Sequence, residues 1–114
     1  MNEELDEIFR MSALELREKV RKREVSAPEL AKAYLARIAT ADSDIGAFVT
    51  VDHAFTLAAA EAAQRRIDAG EDLPLAGVPY ALKDLTDTAG MLTTYGSRMR
   101  KNNVPTLDAA VARR

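Results

Sequence analysis

The sequence has 114 residues, 47% of them hydrophobic and 30% charged, with a net charge of −2 at pH 7. That length fits one domain or part of one, and the composition is that of a folded chain, not a disordered one. The mild acidity gives no general attraction to phosphate backbones or anionic lipid, and the lack of cysteine excludes a disulfide framework, a thiolate metal site and a cysteine nucleophile.

No direct nucleic-acid partner and no membrane partner is therefore expected. No stretch approaches the ~20 apolar residues of a membrane span. The acidic start "MNEELDEIFRMSALEL" lacks the basic and apolar marks of a signal peptide, so the expected location is the cytoplasm. With three Phe, three Tyr and no Trp, the core must be built from Leu, Val, Ile and Ala.

Residues 1–11 read as a leader segment, followed by a single partial domain. Ser12 with Glu15 three residues on is a capping box, and Leu16 and Val20 share a face of the helix it opens. The basic run Arg17, Lys19, Arg21, Lys22, Arg23 falls towards the end of that helix, where positive charge suits the dipole. Ser26 and Glu29 repeat the box, with Pro28 in the first turn and Val25 placed to staple on Leu30. Leu30, Tyr34 and Ile38 lie four apart, with Ala31 and Leu35 beside them, which makes one apolar stripe. The short polar residues of "TADSD" are expected to end this helix.

"IGAFVTV" (Ile45 to Val51) is β-branched and aromatic and reads as a short strand. Asp52 is a candidate cap for a third helix buried through Leu57, Ala60 and Ile67 and stopped by Gly70. His53, the one histidine, has no carboxylate at ligand spacing and reads as solvated.

Val78 to Leu82 is apolar nearly throughout, the pattern of a strand covered on both faces. Met91 to Thr94 reads as a further short strand between turns at Gly90 and Gly96, and "LDAAVARR" as a last helix capped by Thr106 or Asp108.

Self-contained catalytic machinery is absent from this pattern. Ser12 and Ser26 read as caps, Ser43 sits in a polar turn, and no Gly-x-Ser-x-Gly elbow or phosphate-cradling glycine loop occurs. No carboxylate pair or metal-ligand cluster stands out, and no cofactor or metal is expected. Lys83, carried on the end of the apolar run and followed by Asp84, is the one candidate. It is either a solvated strand-end charge paired with Asp84, worth ~0–1 kcal/mol, or a lysine placed for chemistry.

The ordered set Leu75, Gly77, Val78, Pro79, Lys83, Asp84, Gly90, Thr93, Thr94, Gly96 and Ser97, followed by Pro105, Asp108 and Ala109, resembles the N-terminal portion of the amidase signature family. The Ser26 to Leu30 helix start and Ala47-Phe48 also fit, although Gly46 stands where the family commonly has asparagine. The resemblance implies an α/β fold, with N-terminal helices packed on a partial mixed sheet, as an incomplete amidase signature fold. It also implies a Ser–Ser–Lys triad acting on a small amide substrate, with Lys83 as the general base. A lysine can serve so if burial lowers its pKa.

The family's Gly/Ser-rich segment, with the bridging serine, the nucleophile and the oxyanion loop, has no counterpart among these residues, and Ser97 belongs to the lysine motif. The chain alone is expected to be inactive. Tyr95 stands where the A chain of the tRNA-dependent amidotransferases often has cysteine, which favours a general amidase over that branch. Asp84, Thr93 and Thr94 are expected to shape the turn after the lysine, and Tyr80 and Tyr95 to pack. A non-catalytic α/β remnant that self-associates, or meets a complementing chain, through an exposed sheet edge is the contrasting expectation.

Overall fold

The computed structural model describes residues 3–113. It is helical: α1 (Glu3–Ile8), α2 (Ala13–Arg21), α3 (Ala27–Ile45) and α4 (His53–Asp68) are followed by a 3₁₀ turn at Arg98–Arg100 and the short α5 (Ala110–Arg113). α1 lies within the stretch read as a leader. Its Leu5 and Ile8, with Phe9 just past its end, have helical spacing, and Glu3, Glu4 and Asp6 suit the positive end of the dipole.

The caps follow the sequence. Ser12 accepts from the Glu15 N–H and Glu15 accepts from the Ser12 N–H, and Ser26 and Glu29 do the same. Asp52 accepts from the Phe55 N–H at 2.9 Å. α2 and α4 both end in a Schellman motif, with C′→C2 bonds from Arg23 to Val20 and from Gly70 to Ile67, and C″→C3 bonds from Glu24 to Lys19 and from Glu71 to Arg66. Gly70 takes the left-handed position at φ 90°, whereas in α2 the same position is held by Arg23 at φ 60°. The "TADSD" stretch does not end α3. The helix runs through it to Gly46, whose φ of 67° makes the stop, and the Asp42 carboxylate gathers the Ala47 and Phe48 N–H groups.

The core lies between α1, α2 and α3. Ile8, Leu16, Val20 and Leu30 are buried together, with Phe9, Val25, Tyr34, Ile67 and Val78 packed against them. Phe9 meets Tyr34 edge to face at 5.1 Å, and the Arg37 guanidinium lies 5.3 Å from the Phe9 ring centre. α4 packs on α3. Gln64 accepts from the Ala27 N–H at 2.8 Å, and Arg23 pairs with Asp68 at 2.9 Å. Leu57, Ala60 and Ile67 of α4 are only half-buried.

The expectation of an α/β fold with a partial mixed sheet is wrong for this chain: among the described residues there is no strand and no sheet. Ile45 to Val51, Val78 to Leu82 and Met91 to Thr94 are irregular. β-propensity describes how a side chain fits a pleated, half-buried surface, and here no neighbouring strand supplies that surface. The backbone of Tyr80 to Leu82 makes no hydrogen bond among the described residues, and Tyr80 is 71% exposed where burial was expected. A sheet edge for partner pairing falls with the sheet.

The expected last helix over 107–114 shortens to α5, and Arg114 lies outside the described residues. Neither proposed cap acts on it; Asp108 instead accepts from the Ala89 N–H at 2.7 Å.

Candidate functional site around Lys83 and Asp84

The chain leaves α4 and is tied back at once. Arg17 pairs with Asp72 at 3.0 Å and donates to the Leu73 carbonyl. Gly77 then crosses the α2–α3 seam. At φ 82° it occupies left-handed space, and a Cβ there would stand 3.0 Å from Val20 Cγ1 and 3.3 Å from Ala27 Cβ. Glycine at this position answers both demands, and its close approach lets Val78 reach the core. Lys83 follows five residues later.

Lys83 is exposed, and its side chain forms no ion pair or hydrogen bond among the described residues. The alternative of a Lys83–Asp84 ion pair is thus not what the structure contains. Asp84 is committed elsewhere: its carboxylate accepts from the Thr94 N–H at 2.7 Å, from the Thr94 hydroxyl and from the Gly96 N–H at 3.4 Å. The Thr94 hydroxyl and then its N–H, with a smaller share from the Gly96 N–H, hold the Asp84 carboxyl below the usual carboxylate range against the opposing effect of burial.

The segment clamped by Asp84 is a tight turn. The Ser97 N–H donates to the Thr94 carbonyl at 3.0 Å, and both central residues have positive φ, Tyr95 at 54° and Gly96 at 67°. That is the sign pattern of a type I′ turn. Tyr95 accepts the strain of left-handed space while its hydroxyl donates to Asp87, which raises the phenol above its usual range.

Behind the turn, Thr93 is buried, at 3% exposure. Its N–H donates to the Asn103 carbonyl at 2.9 Å, and Asn103 Nδ2 returns a bond to the Thr93 carbonyl at 2.9 Å. Gly90 donates to Pro105 and Ala109 to Asp87, so residues 87–94 and 103–109 run side by side.

The site is thus a braced loop presenting a free lysine. Asp84 and Thr94 act as sequence reasoning expected, by shaping the turn. The Asp87–Tyr95 and Thr93–Asn103 links are additional, and no sequence signal at those spacings would have found them. None of the four serines meets Lys83. Ser12, Ser26 and Ser97 accept from backbone N–H groups as caps, and Ser43 is exposed on α3. His53 is exposed at the start of α4. Among the described residues no group of three or more His, Asp or Glu side chains could hold a metal, and no helix is long and apolar enough to cross a membrane.

The sequence model of the family described as Amidase matches residues 29–114, and the chain belongs to that family, as an N-terminal segment of such a protein. Among curated proteins it is 50% identical to the A chain of the glutamyl-tRNA(Gln) amidotransferase of Geobacter sulfurreducens over 105 residues, 92% of this chain and 22% of that one. It is 54% identical to the corresponding chain of Desulforapulum autotrophicum over 86 residues, 75% of this chain and 18% of that one.

A solved structure from a vestigial protein complex, described as revealing the evolutionary origins of an s-triazine catabolic enzyme, matches with a TM-score of 0.82 and 33% identity. The match covers 90% of this chain and 23% of that one. The chain therefore spans about a fifth of the length of these relatives.

Proposed function

We propose that this chain is one part of an amidase catalytic domain and that Lys83 is its general base. In the assembled site the neutral Lys83 amine takes a proton from a bridging serine, which takes one from a second serine as that oxygen attacks the amide carbonyl. The C–N bond then breaks, the amine leaves with a proton, and water hydrolyses the acyl-enzyme. Both serines and the oxyanion donors come from outside these 114 residues, since the serines present are caps or lie on the α3 surface. The chain alone turns over no amide, and it acts in the cytoplasm.

The observation that carries this reading is the Asp84 clamp. Because Asp84 is spent on the Thr94–Gly96 turn, Lys83 is held on a braced loop with its amine unpaired. The test is amide hydrolysis by this chain assembled with the rest of an amidase domain. Lys83→Ala is expected to lower kcat by ~10²–10⁴, the usual worth of a general base; full activity without the lysine contradicts the role.

A second specific reading is favoured by the curated relatives. Their identities of 50% and 54% support the A chain of a tRNA-dependent amidotransferase, although Tyr95 in the turn points to a general amidase. Glutamine hydrolysis by the assembled enzyme would favour the amidotransferase branch, and turnover of simple amides in preference to glutamine the other.

A further inference from the structure

Lys83 begins a turn, in which its carbonyl accepts from the Thr86 N–H at 2.9 Å. Two carboxylates, Asp84 and Asp87, reach from this turn to the one at Thr94–Ser97. Asp84 takes the Thr94 and Gly96 N–H groups and the Thr94 hydroxyl. Asp87 takes the Tyr95 hydroxyl, while its own carbonyl accepts from the Ala109 N–H at 2.8 Å. The Asp84 tie needs no side chain at position 95. A turn with two left-handed residues usually has Asn-Gly, Asp-Gly or Gly-Gly, but here a tyrosine takes the first position, at φ 54°. A bulky residue in that region is an outlier, and such strain persists only where the surroundings impose it. What tyrosine adds at this position is its reach to Asp87.

We infer that Asp87 and Tyr95 are positioning residues for Lys83: their hydrogen bond is the second of two ties between the lysine turn and the Thr94–Ser97 turn, and it fixes the direction in which the lysine leaves the loop. The Asp84 bonds all act through one carboxylate, so alone they leave a pivot about which the lysine turn can rotate. A second tie three residues further on removes that freedom. The Lys83 side chain, without an ion pair among the described residues, cannot supply the restraint itself. Misplacing a reacting group by about 1 Å can cost ~10²-fold in rate, so the tie matters to a general base although it touches no substrate. The Asp87 hydrogen bond, with burial, raises the Tyr95 phenol above its usual range against the opposing effects of Asn103 and Arg100, so the hydroxyl stays protonated and donating at neutral pH. Their role rests on the general-base reading of Lys83, from which the experiment is separable.

Backbone ¹⁵N relaxation of the 114-residue chain reads the tie without catalysis. Tyr95→Phe keeps the ring and loses the hydroxyl, and should take the order parameters of Lys83 and Asp84 from about 0.85 to below about 0.6, whereas Leu107→Ala should leave them unchanged. Kinetics use a chimera in which this chain replaces the matching region of the Geobacter sulfurreducens A chain, with glutamine and benzamide as the amides. Tyr95→Phe and Asp87→Ala should each lower kcat about tenfold with KM unchanged, and Asp87→Asn, whose amide oxygen still accepts, should restore most of the loss. Tyr95→Gly separates position from stability: it relieves the backbone strain, so the urea midpoint should hold or rise while kcat falls as in Tyr95→Phe. Unchanged order parameters in Tyr95→Phe, or full kcat in Tyr95→Gly where Lys83→Ala loses it, would overturn the proposal. Full kcat in Lys83→Ala, together with a loosened Lys83 in Tyr95→Phe, supports the tie and contradicts only the general-base reading.

Discussion

The helical half, residues 3–70, and the loop half, residues 71–113, are built on different physics. Among the described residues, seven of the eight that are buried lie between Ile8 and Leu35, and the loop half contains one, Thr93. The helical half is held by apolar contacts between amphipathic faces, with local caps setting the helix ends. The loop half is held by polar clamps on backbone groups: Asp84 on Thr94 and Gly96, Asp108 on Ala89, and Asn103 on Thr93. Such clamps define a shape, but they contribute less free energy than a buried core and open more readily.

The comparison breaks first at Leu30. It is fully buried, so Leu30→Ala should cost about 2–5 kcal/mol by urea denaturation, while Leu107→Ala, at a position 78% exposed, should stay within about 0.5 kcal/mol. Equal losses would mean that the loop half shares the core. Next comes the seam between the halves. Gly77→Ala meets both the positive φ and Val20 Cγ1, and should cost about 1–3 kcal/mol, read in the same denaturation. Ser26→Ala removes the α3 cap and should cost about 0.5–2 kcal/mol, with Ser26→Asp largely restoring it.

The smallest effect sharpens the loop half. Asp84 has a folded-state pKa below its ordinary value, so the clamp is fully present above that ordinary value and is lost as pH falls through the lowered one. The Thr94 and Gly96 amides, followed by NMR, should keep their native shifts at neutral pH and move towards those of Asp84→Asn on acidification. A clamp unaffected by either change would contradict the assignment of Asp84.

What could be read from the sequence divides along the same line. The boxes at Ser12 and Ser26, the cap at Asp52 and the stop at Gly70 are local, each needing residues only a few positions apart, and all four stand in the structure. α1 was legible in the spacing of Leu5, Ile8 and Phe9 but was hidden by its acidic character. The end of α3 is misjudged from sequence because the polar residues before Gly46 are weak breakers, whereas the glycine's left-handed turn is decisive.

The three expected strands failed for a non-local reason: an apolar run specifies burial, and whether it becomes a strand depends on a neighbour that lies elsewhere. Around Lys83, the motif and the role of Asp84 in the turn were legible through family resemblance. Tyr95 with Asp87 and Thr93 with Asn103 depend on how the turn folds back.

Native-state hydrogen exchange on the 114-residue chain tests the division most directly. Amides within α2, α3 and α4 should exchange together and slowly, close to the global unfolding limit, while residues 75–111 should exchange orders of magnitude faster through local opening. Protection in the loop half equal to that of α3 would contradict the account, because it would show one cooperative unit in place of a packed core and a loop region held by polar clamps.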